Sequence, residues 1–292
     1  MLKKYRKLIY VLLIAVFLVC FWFWQNDSLQ VTRFIINYEN LPQEFDGYRI
    51  VQISDMHGKY FGRNNKRLVD RISSLKPDIL FVTGDMMTSN KYDGQAFIDF
   101  LEEFGQQCPV YMCLGNHEQI AGMIAGDEYY TSFIKSIQEH GVILLDNEKT
   151  TLKKKDESIT ISGLTLALFR YSRRDKEYYD EALFLTEADI DLSIGEAEEG
   201  FNIMLAHNPV YFSEYASWGA DLVLSGHVHG GIIQVPFKGG LLSPEHVFFP
   251  EYDAGLYEIE DSIMIVNRGL GSSGVNFRLF NRPDITFIEL RR

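Results

Sequence analysis

A chain of 292 residues that is 46% hydrophobic is enough for one good-sized α/β domain with a large core, and it requires no second domain. Its net charge of −12 repels a polyanion, so nucleic acid is not an expected partner. The 3 cysteines imply no disulfide framework and say little about compartment: Cys20 lies in an apolar run, and Cys108 and Cys113 are five strand steps, about 16 Å, apart.

The first thirty residues have their own character. Lys3, Lys4, Arg6 and Lys7 precede an uncharged run from Leu8 to Trp24, about 25 Å long as a helix and sufficient for a short membrane span. Phe21, Trp22, Phe23 and Trp24 crowd its end, as at a membrane–water interface. The basic cluster predicts a cytoplasmic N-terminus, with everything after Gln25 on the far side of the membrane. A cleaved signal peptide competes with this reading, but bulky aromatics stand where a cleavage site needs small residues. The expected organisation is a basic tip, single-pass anchor and short polar linker over 1–30, then one catalytic domain over 31–292.

Strands are predicted at Val31 to Tyr38, Arg49 to Ser54, Asp78 to Thr83 and Val110 to Leu114. Helices are predicted at Arg63 to Leu75, with Leu68, Ile72 and Leu75 on one face, at Gln95 to Phe104, and at Glu128 to Glu139, stopped by Gly141. Ser158 to Leu168 is β-rich, and Arg170 to Gly200 is charged and irregular with short helical possibilities. Further strands are predicted at Phe201 to Ala206, Asp221 to Ser225, Ile232 to Val235, Ala254 to Ile259, Ile263 to Val266 and Ile285 to Leu290. A β/α-alternating half followed by a mostly β half predicts a two-sheet α/β/α sandwich, with its ligands on loops at the carboxyl ends of strands.

Five short stretches sit at such strand ends: Asp55-Met56-His57, Gly84-Asp85, Gly115-Asn116-His117-Glu118, Ala206-His207-Asn208 and Gly226-His227-Val228-His229. Five of the 7 histidines fall inside them. Imidazole, carboxylate and amide oxygen without thiolate is a ligand set for Zn, Mn or Fe in hydrolysis. Asp55 and His57, two apart in an extended segment, are expected to point to one side and grip one ion. His227 and His229 repeat that spacing between glycines that let backbone come close to a bound group. Alone, most members have a bland reading: Asp55 a turn residue, His57 a surface histidine, Asp85 a helix N-cap, Asn116 a turn residue, His207 a satisfied core histidine. Their conjunction in this order outweighs any member.

Together these residues resemble the calcineurin-like metallophosphoesterases, whose order is D-x-H, G-D, G-N-H-[E/D], a lone H, then G-H-x-H. The match spans Asp55 to His229, and the aromatic-rich anchor resembles the bacterial membrane-anchored branch that includes UDP-2,3-diacylglucosamine pyrophosphatase-like enzymes. The resemblance implies the same sandwich fold and two divalent ions, Mn, Zn or Fe. Asp55, His57, Asp85 and His229 would hold one ion; Asp85, Asn116, His207 and His227 would hold the other, with Asp85 bridging. It implies hydrolysis of a phosphomonoester or phosphodiester by a hydroxide held on the metals, with His117 over the phosphate as general acid or transition-state stabiliser.

Two departures from the family pattern stand out. Thr88 occupies the place where many relatives carry an Asp that orients the catalytic histidine, and Ile232 stands where close relatives often have Gln. Arg268, in a Gly-rich loop, could meet phosphate or serve a structural turn. Phe248-Phe249-Pro250 could wall a lipid chain or contact core or membrane. The acidic run from Glu187 to Glu199 reads as solvated surface, and His140 and His246 as incidental. An outward-facing domain favours an envelope or lipid-linked phosphoester as substrate. The alternative is a non-catalytic membrane receptor of the same fold that binds metal and phosphate. A metal-dependent protease or amidase is disfavoured, since no H-E-x-x-H occurs.

Overall fold

A computed structural model describes residues 2–124, 127–171, 184–274 and 277–292. Within them the chain runs α1 (Leu2–Asp27), β1 (Gln30–Asn37), β2 (Arg49–Ile53), α2 (Lys66–Ser73), β3 (Ile79–Val82), α3 (Gln95–Phe104), β4 (Val110–Met112), α4 (Asn116–Ile124), α5 (Asp127–Glu139) and β5 (Val142–Leu144). It continues through β6 (Glu148–Lys154), β7 (Glu157–Leu164), α6 (Glu187–Ile194), β8 (Asn202–Ala206), α7 (Phe212–Trp218), β9 (Leu222–Ser225), β10 (Gln234–Val235), β11 (Gly239–Gly240), β12 (Gly255–Ile259), β13 (Ser262–Val266) and β14 (Asp284–Arg291).

Two six-stranded sheets form, in the orders β1-β14-β2-β3-β4-β5 and β12-β13-β9-β8-β7-β6. β2 to β5 are mutually parallel, as are β7, β8, β9 and β13. These central strands are covered on both faces, which is why they read as unbroken apolar runs. The two-residue side-chain period then divides them between layers. In β3, Leu80 and Val82 face a core shared with α2, α3 and α5, while Ile79 and Phe81 face the second sheet. In β8, Ile203 and Leu205 meet the first sheet, while Met204 and Ala206 pack against α6 and α7. Gln52 crosses the layer between the sheets, its Nε2 donating to Thr83 Oγ1 at 3.0 Å and to the Ser225 carbonyl at 2.9 Å. The two-sheet sandwich expected from the sequence is therefore present, with helices on both outer faces.

Several predicted ends move for local reasons. The helix expected from Arg63 begins as α2 at Lys66, because Asn64 and Asn65 take left-handed backbone; Leu68, Ile72 and Leu75 are buried as expected. α4 was not predicted: it grows directly out of Asn116-His117-Glu118. α7 and β6 were also not foreseen, the latter being a half-exposed edge strand rich in Thr and Lys. The irregular stretch from Arg170 to Gly200 contains α6, opened by a capping box between Thr186 and Asp189. Residues 172–183 of that stretch lie outside the described residues. Glu187, Glu196, Glu198 and Glu199 are exposed, as expected of a solvated run, while Ile190 and Ile194 anchor the helix beneath.

Residues Tyr5–Asp27 of α1 are long and apolar enough to cross a membrane by length and composition, and their side chains are largely exposed. The predicted polar linker from Gln25 to Gln30 is different from expectation: the helix continues to Asp27, and β1 starts at Gln30. Tertiary bonds hold this junction. Asn26 Oδ1 accepts the Arg278 N–H at 2.7 Å, Asn26 Nδ2 donates to the Arg278 carbonyl at 3.3 Å, Lys59 Nζ reaches the Asn26 carbonyl, and Arg67 pairs with Asp27 at 2.7 Å.

Candidate metal centre

Every candidate ligand lies just past the carboxyl end of a strand: Asp55 and His57 after β2, Asp85 after β3, Asn116 after β4, His207 after β8, and His227 and His229 after β9. The extended geometry expected for the two D-x-H and H-x-H pairs is not found. Asp55, His57, Asp85, His227 and His229 all have positive φ, between 46° and 68°. For non-glycine residues this conformation is uncommon and costs roughly 1–3 kcal/mol each, a strain that clusters at functional sites. The tight turns swing the side chains inward although the backbone is not a strand. They also separate His227 from His229, so that each joins a different cluster.

Three overlapping clusters have ligand atoms within 4.8 Å of one another: Asp55, His57 and His229; His57, Asp85 and His117; and Asp85, His207 and His227. Asp85 Oδ2 stands between the outer two, 3.1 Å from His207 Nε2 and 3.8 Å from His57 Nε2. Asp55 Oδ1 lies 3.4 Å from His229 Nε2 and 4.0 Å from His57 Nε2. Backbone acceptors fix two of the rings: His207 Nδ1 donates to the Thr83 carbonyl at 2.5 Å and His57 Nδ1 to the Met87 carbonyl at 3.2 Å. Each Nε2 is thereby left as a lone pair aimed at the cluster. The two Nε2 atoms of His57 and His229 face each other at 3.2 Å. His207 Nε2, His229 Nδ1 and Asn116 Oδ1 are buried without a hydrogen-bond partner. Facing ring nitrogens and unpartnered buried polar atoms around two carboxylates are the arrangement that divalent cations satisfy.

The glycines of the motifs serve this convergence. A Cβ on Gly115 would fall 2.1 Å from Asp85 Oδ1, and one on Gly226 would fall 2.4 Å from Asp55 Oδ2. Both positions must be bare for the carboxylates to sit where they do.

The electrostatics agree with a cation site. Burial disfavours ionisation of Asp85, but His207, His117 and His57 outweigh it and hold its carboxyl well below the usual range. Burial lowers His57 well below the ordinary imidazole value and lowers His229 to about 4, against the pull of Asp85 and Asp55. Burial also opposes the charged form of His207, yet the Asp85 charge prevails and raises it to about 10.

Several contributors escaped the sequence reading. Glu118, fully buried, accepts the N–H groups of Asp85 at 2.8 Å, Met86 at 2.6 Å and Gly115 at 2.9 Å, and so holds the Asp85 loop against the start of α4. Glu245 pairs with His227 Nε2, leaving Nδ1 of that ring for the cluster. Burial resists ionisation of Glu245, but His227 overrides it and draws its carboxyl down to about 2. The Tyr171 ring lies 5.1 Å from that of His227. Glu118 carried a signal, since it closes the Gly115-Asn116-His117 motif; Glu245 and Tyr171 carried none, being far from any ligand in sequence. The Thr88 departure resolves in a definite way: Ser89 supplies the contact, its N–H donating to His117 Nδ1 at 3.1 Å with its Oγ 3.2 Å away. Arg268 turns its carbonyl to Arg278 NH1 at 2.9 Å, a structural turn. His140 bonds the Ser136 carbonyl of its own helix at 2.7 Å, and His246 is exposed on a loop.

A cleft of about 250 Å³ opens beside His227, lined by Val210, Val228, Val247, Pro250 and Tyr252, with Arg170, Glu245 and Glu251 as its charged groups.

Comparison with known proteins agrees with this geometry. A family model described as calcineurin-like phosphoesterase matches residues 48–231. The uncharacterized metallophosphoesterase YkuE of Bacillus subtilis is 30% identical over 278 residues, covering 91% of this chain and 87% of the relative. The UDP-2,3-diacylglucosamine pyrophosphatase LpxG of Chlamydia trachomatis is 27% identical, covering 92% of each chain. The phosphodiesterase YaeI of Escherichia coli is 27% identical over 74% of this chain and 71% of its own. The family uses divalent metals, and the clusters described above are candidates to hold them. The chain belongs to the calcineurin-like phosphoesterase family and is a metal-dependent phosphoric ester hydrolase.

Proposed function

We propose that the chain is a membrane-anchored phosphoesterase with a dinuclear metal site, acting on a phosphomonoester or phosphodiester at the membrane. The observation that carries the dinuclear reading is the place of Asp85 between two imidazole clusters. In this reading Asp55, His57, Asp85 and His229 hold one ion, and Asp85, Asn116, His207 and His227 hold the other. Such a pair, when bound, supplies an activated water and neutralises charge on the phosphoryl oxygens. The chain's own contributions are positional. Glu118 sets the Asp85 loop, Thr83 and Met87 carbonyls orient His207 and His57, and Glu245 orients His227. His117 stands at the mouth of the cluster, its ring 4.7 Å from that of His57. The Ser89 N–H points into its Nδ1, so its proton sits on Nε2, available to a phosphoryl or leaving-group oxygen.

The apolar cleft beside His227 supports an organic substituent next to the phosphate. The name of LpxG supports a lipid-bearing substrate, and α1 supports a location at the membrane. Basic residues ahead of the apolar run support a cytoplasmic N-terminus and an outward-facing catalytic domain. That placement favours an envelope phosphodiester or phospholipid headgroup over a cytoplasmic nucleotide sugar.

The test is hydrolysis of a panel of monoesters and diesters, soluble and lipid-linked, by the metal-stripped full-length chain reloaded separately with Mn, Zn and Fe. Turnover that follows metal content, with two ions per chain at saturation, is expected. Binding of metal and phosphate with no turnover on any ester would replace the enzyme reading with that of a receptor.

A further inference from the structure

The face of the catalytic domain next to α1 carries an unusual set of exposed rings. Phe237 is fully exposed, Phe248 is 68% exposed, Phe280 is 55% exposed and Phe249 is 45% exposed. They are joined to one another and to the anchor. The Phe280 ring lies 6.3 Å from that of Phe21 on α1. Leu279, beside Phe280, bridges to Ile233 and accepts the Gln234 N–H at 3.0 Å, which ties this segment to the β10–β11 hairpin. Phe237 stands at the turn of that hairpin, and Lys238 Nζ lies 5.8 Å over the Phe249 ring. Large apolar side chains left bare in such a continuous run mark an interaction surface.

We infer that this aromatic face inserts into the membrane interface beside the anchor, as a second membrane contact made by the catalytic domain. The occupant follows from depth. Phe21 lies three residues inside the apolar edge at Trp24, about 4.5 Å along the helix. If α1 spans the bilayer, a ring touching Phe21 is at the level of the interfacial belt, where aromatic side chains are favoured. Two basic groups flank this level: Arg282 sits 5.0 Å over the Trp24 ring while donating to Ser28 and Leu29, and Lys238 lies at the hairpin turn. The segment from Ser243 to Tyr252, which bears Phe248 and Phe249, also lines the cleft beside His227. Insertion of its rings would hold that cleft against the lipid surface, where an acyl-linked phosphoester resides.

The inference rests on α1 being a membrane anchor but not on the chemistry of the site, and its test separates the two. The full-length chain carrying Cys20→Ser and Cys108→Ser receives a nitroxide at Phe237→Cys, Phe248→Cys, Phe280→Cys or, as an apolar exposed control on α6, Leu192→Cys. Each is reconstituted in phosphatidylcholine–phosphatidylglycerol vesicles. Labels at 237, 248 and 280 are expected to collide with dissolved oxygen and to be shielded from a water-soluble nickel chelate, while the label at 192 is open to the chelate. Protein that floats with vesicles but has 237 and 248 as open to nickel as 192 overturns the second contact while leaving the anchor intact. Protein that does not float overturns both. Neither readout depends on hydrolysis, so loss of activity in a labelled chain does not affect the answer.

Discussion

Glu118 and Asp85 are joined side chain to backbone in both directions, not side chain to side chain: the Glu118 carboxylate receives the Asp85 N–H at 2.8 Å, while Asp85 Oδ1 receives the N–H of His117, one residue before Glu118, at 2.8 Å. The two loops that follow β3 and β4 thus clasp each other by reciprocal carboxylate caps. Asp85 is held in left-handed backbone by this clasp, and burial, then the Asp85 charge, push the Glu118 carboxyl up to about 7 against its backbone donors.

Glu118→Gln should therefore harm the centre without touching an ion. An amide presents N–H to at least one backbone N–H that had a carboxylate acceptor, and each buried donor left unpaired costs about 1–3 kcal/mol. A fall in thermal midpoint together with weaker metal retention is expected. Normal metal affinity in a chain of lowered stability would show that the clasp serves the fold alone.

Asp85→Asn keeps an oxygen for the His117 N–H but loses the charge between the two imidazole clusters. Both ions should be weakened and hydrolysis abolished with the fold retained. Elemental analysis of the purified variant decides this, and two retained ions per chain would remove the bridging role.

His117→Ala should leave metal content near normal and reduce turnover about 10²–10³-fold. The Ser89 N–H occupies Nδ1, so Nε2 is the nitrogen from which the ring can donate. The loss is then expected to be similar for esters with good and poor leaving groups. A much smaller loss with good leaving groups would identify full proton transfer from His117 instead.

Acid should loosen the β10–β11 hairpin before the core. Asp253 accepts Tyr257 Oη at 2.6 Å, Gln234 Nε2 at 2.9 Å and the Gly240 N–H. Burial opposes its charge, but these donors prevail and its carboxyl is lowered from 3.8. With the folded value below the unfolded one, the stabilisation is complete above pH about 3.8 and fades as pH falls through the lower folded value. Amide exchange at Gly240 should accelerate over that acid range in the parent chain and stay flat in Asp253→Asn, which cannot titrate. The same acid midpoint in both chains would assign the loosening to another group.

The strands and the order of the candidate ligands were legible because both obey local rules. β3 and β8 are covered on both faces, so nearly every residue in them is apolar, and the carboxylate or histidine that follows stands out where the run stops. Asp55, His57, Asp85, Asn116, His207, His227 and His229 could be named for the same reason. Their backbone could not: an i, i+2 spacing suggests extended chain, whereas the packed loops force left-handed turns that local propensity disfavours. α4 was missed because its first residues serve the site and their helical start depends on the Asp85 carboxylate, 32 residues away in sequence. Glu245 meets His227, and Asn26 meets Arg278 across 252 residues, only because the folded sheets bring those segments together. The sequence by itself determined which groups are available to hold metal and in what order they come. The tertiary structure decided which groups share a cluster, which carboxylates hold the loops and rings in place, and which face lies beside α1, because each of those depends on contacts between residues that no local pattern relates.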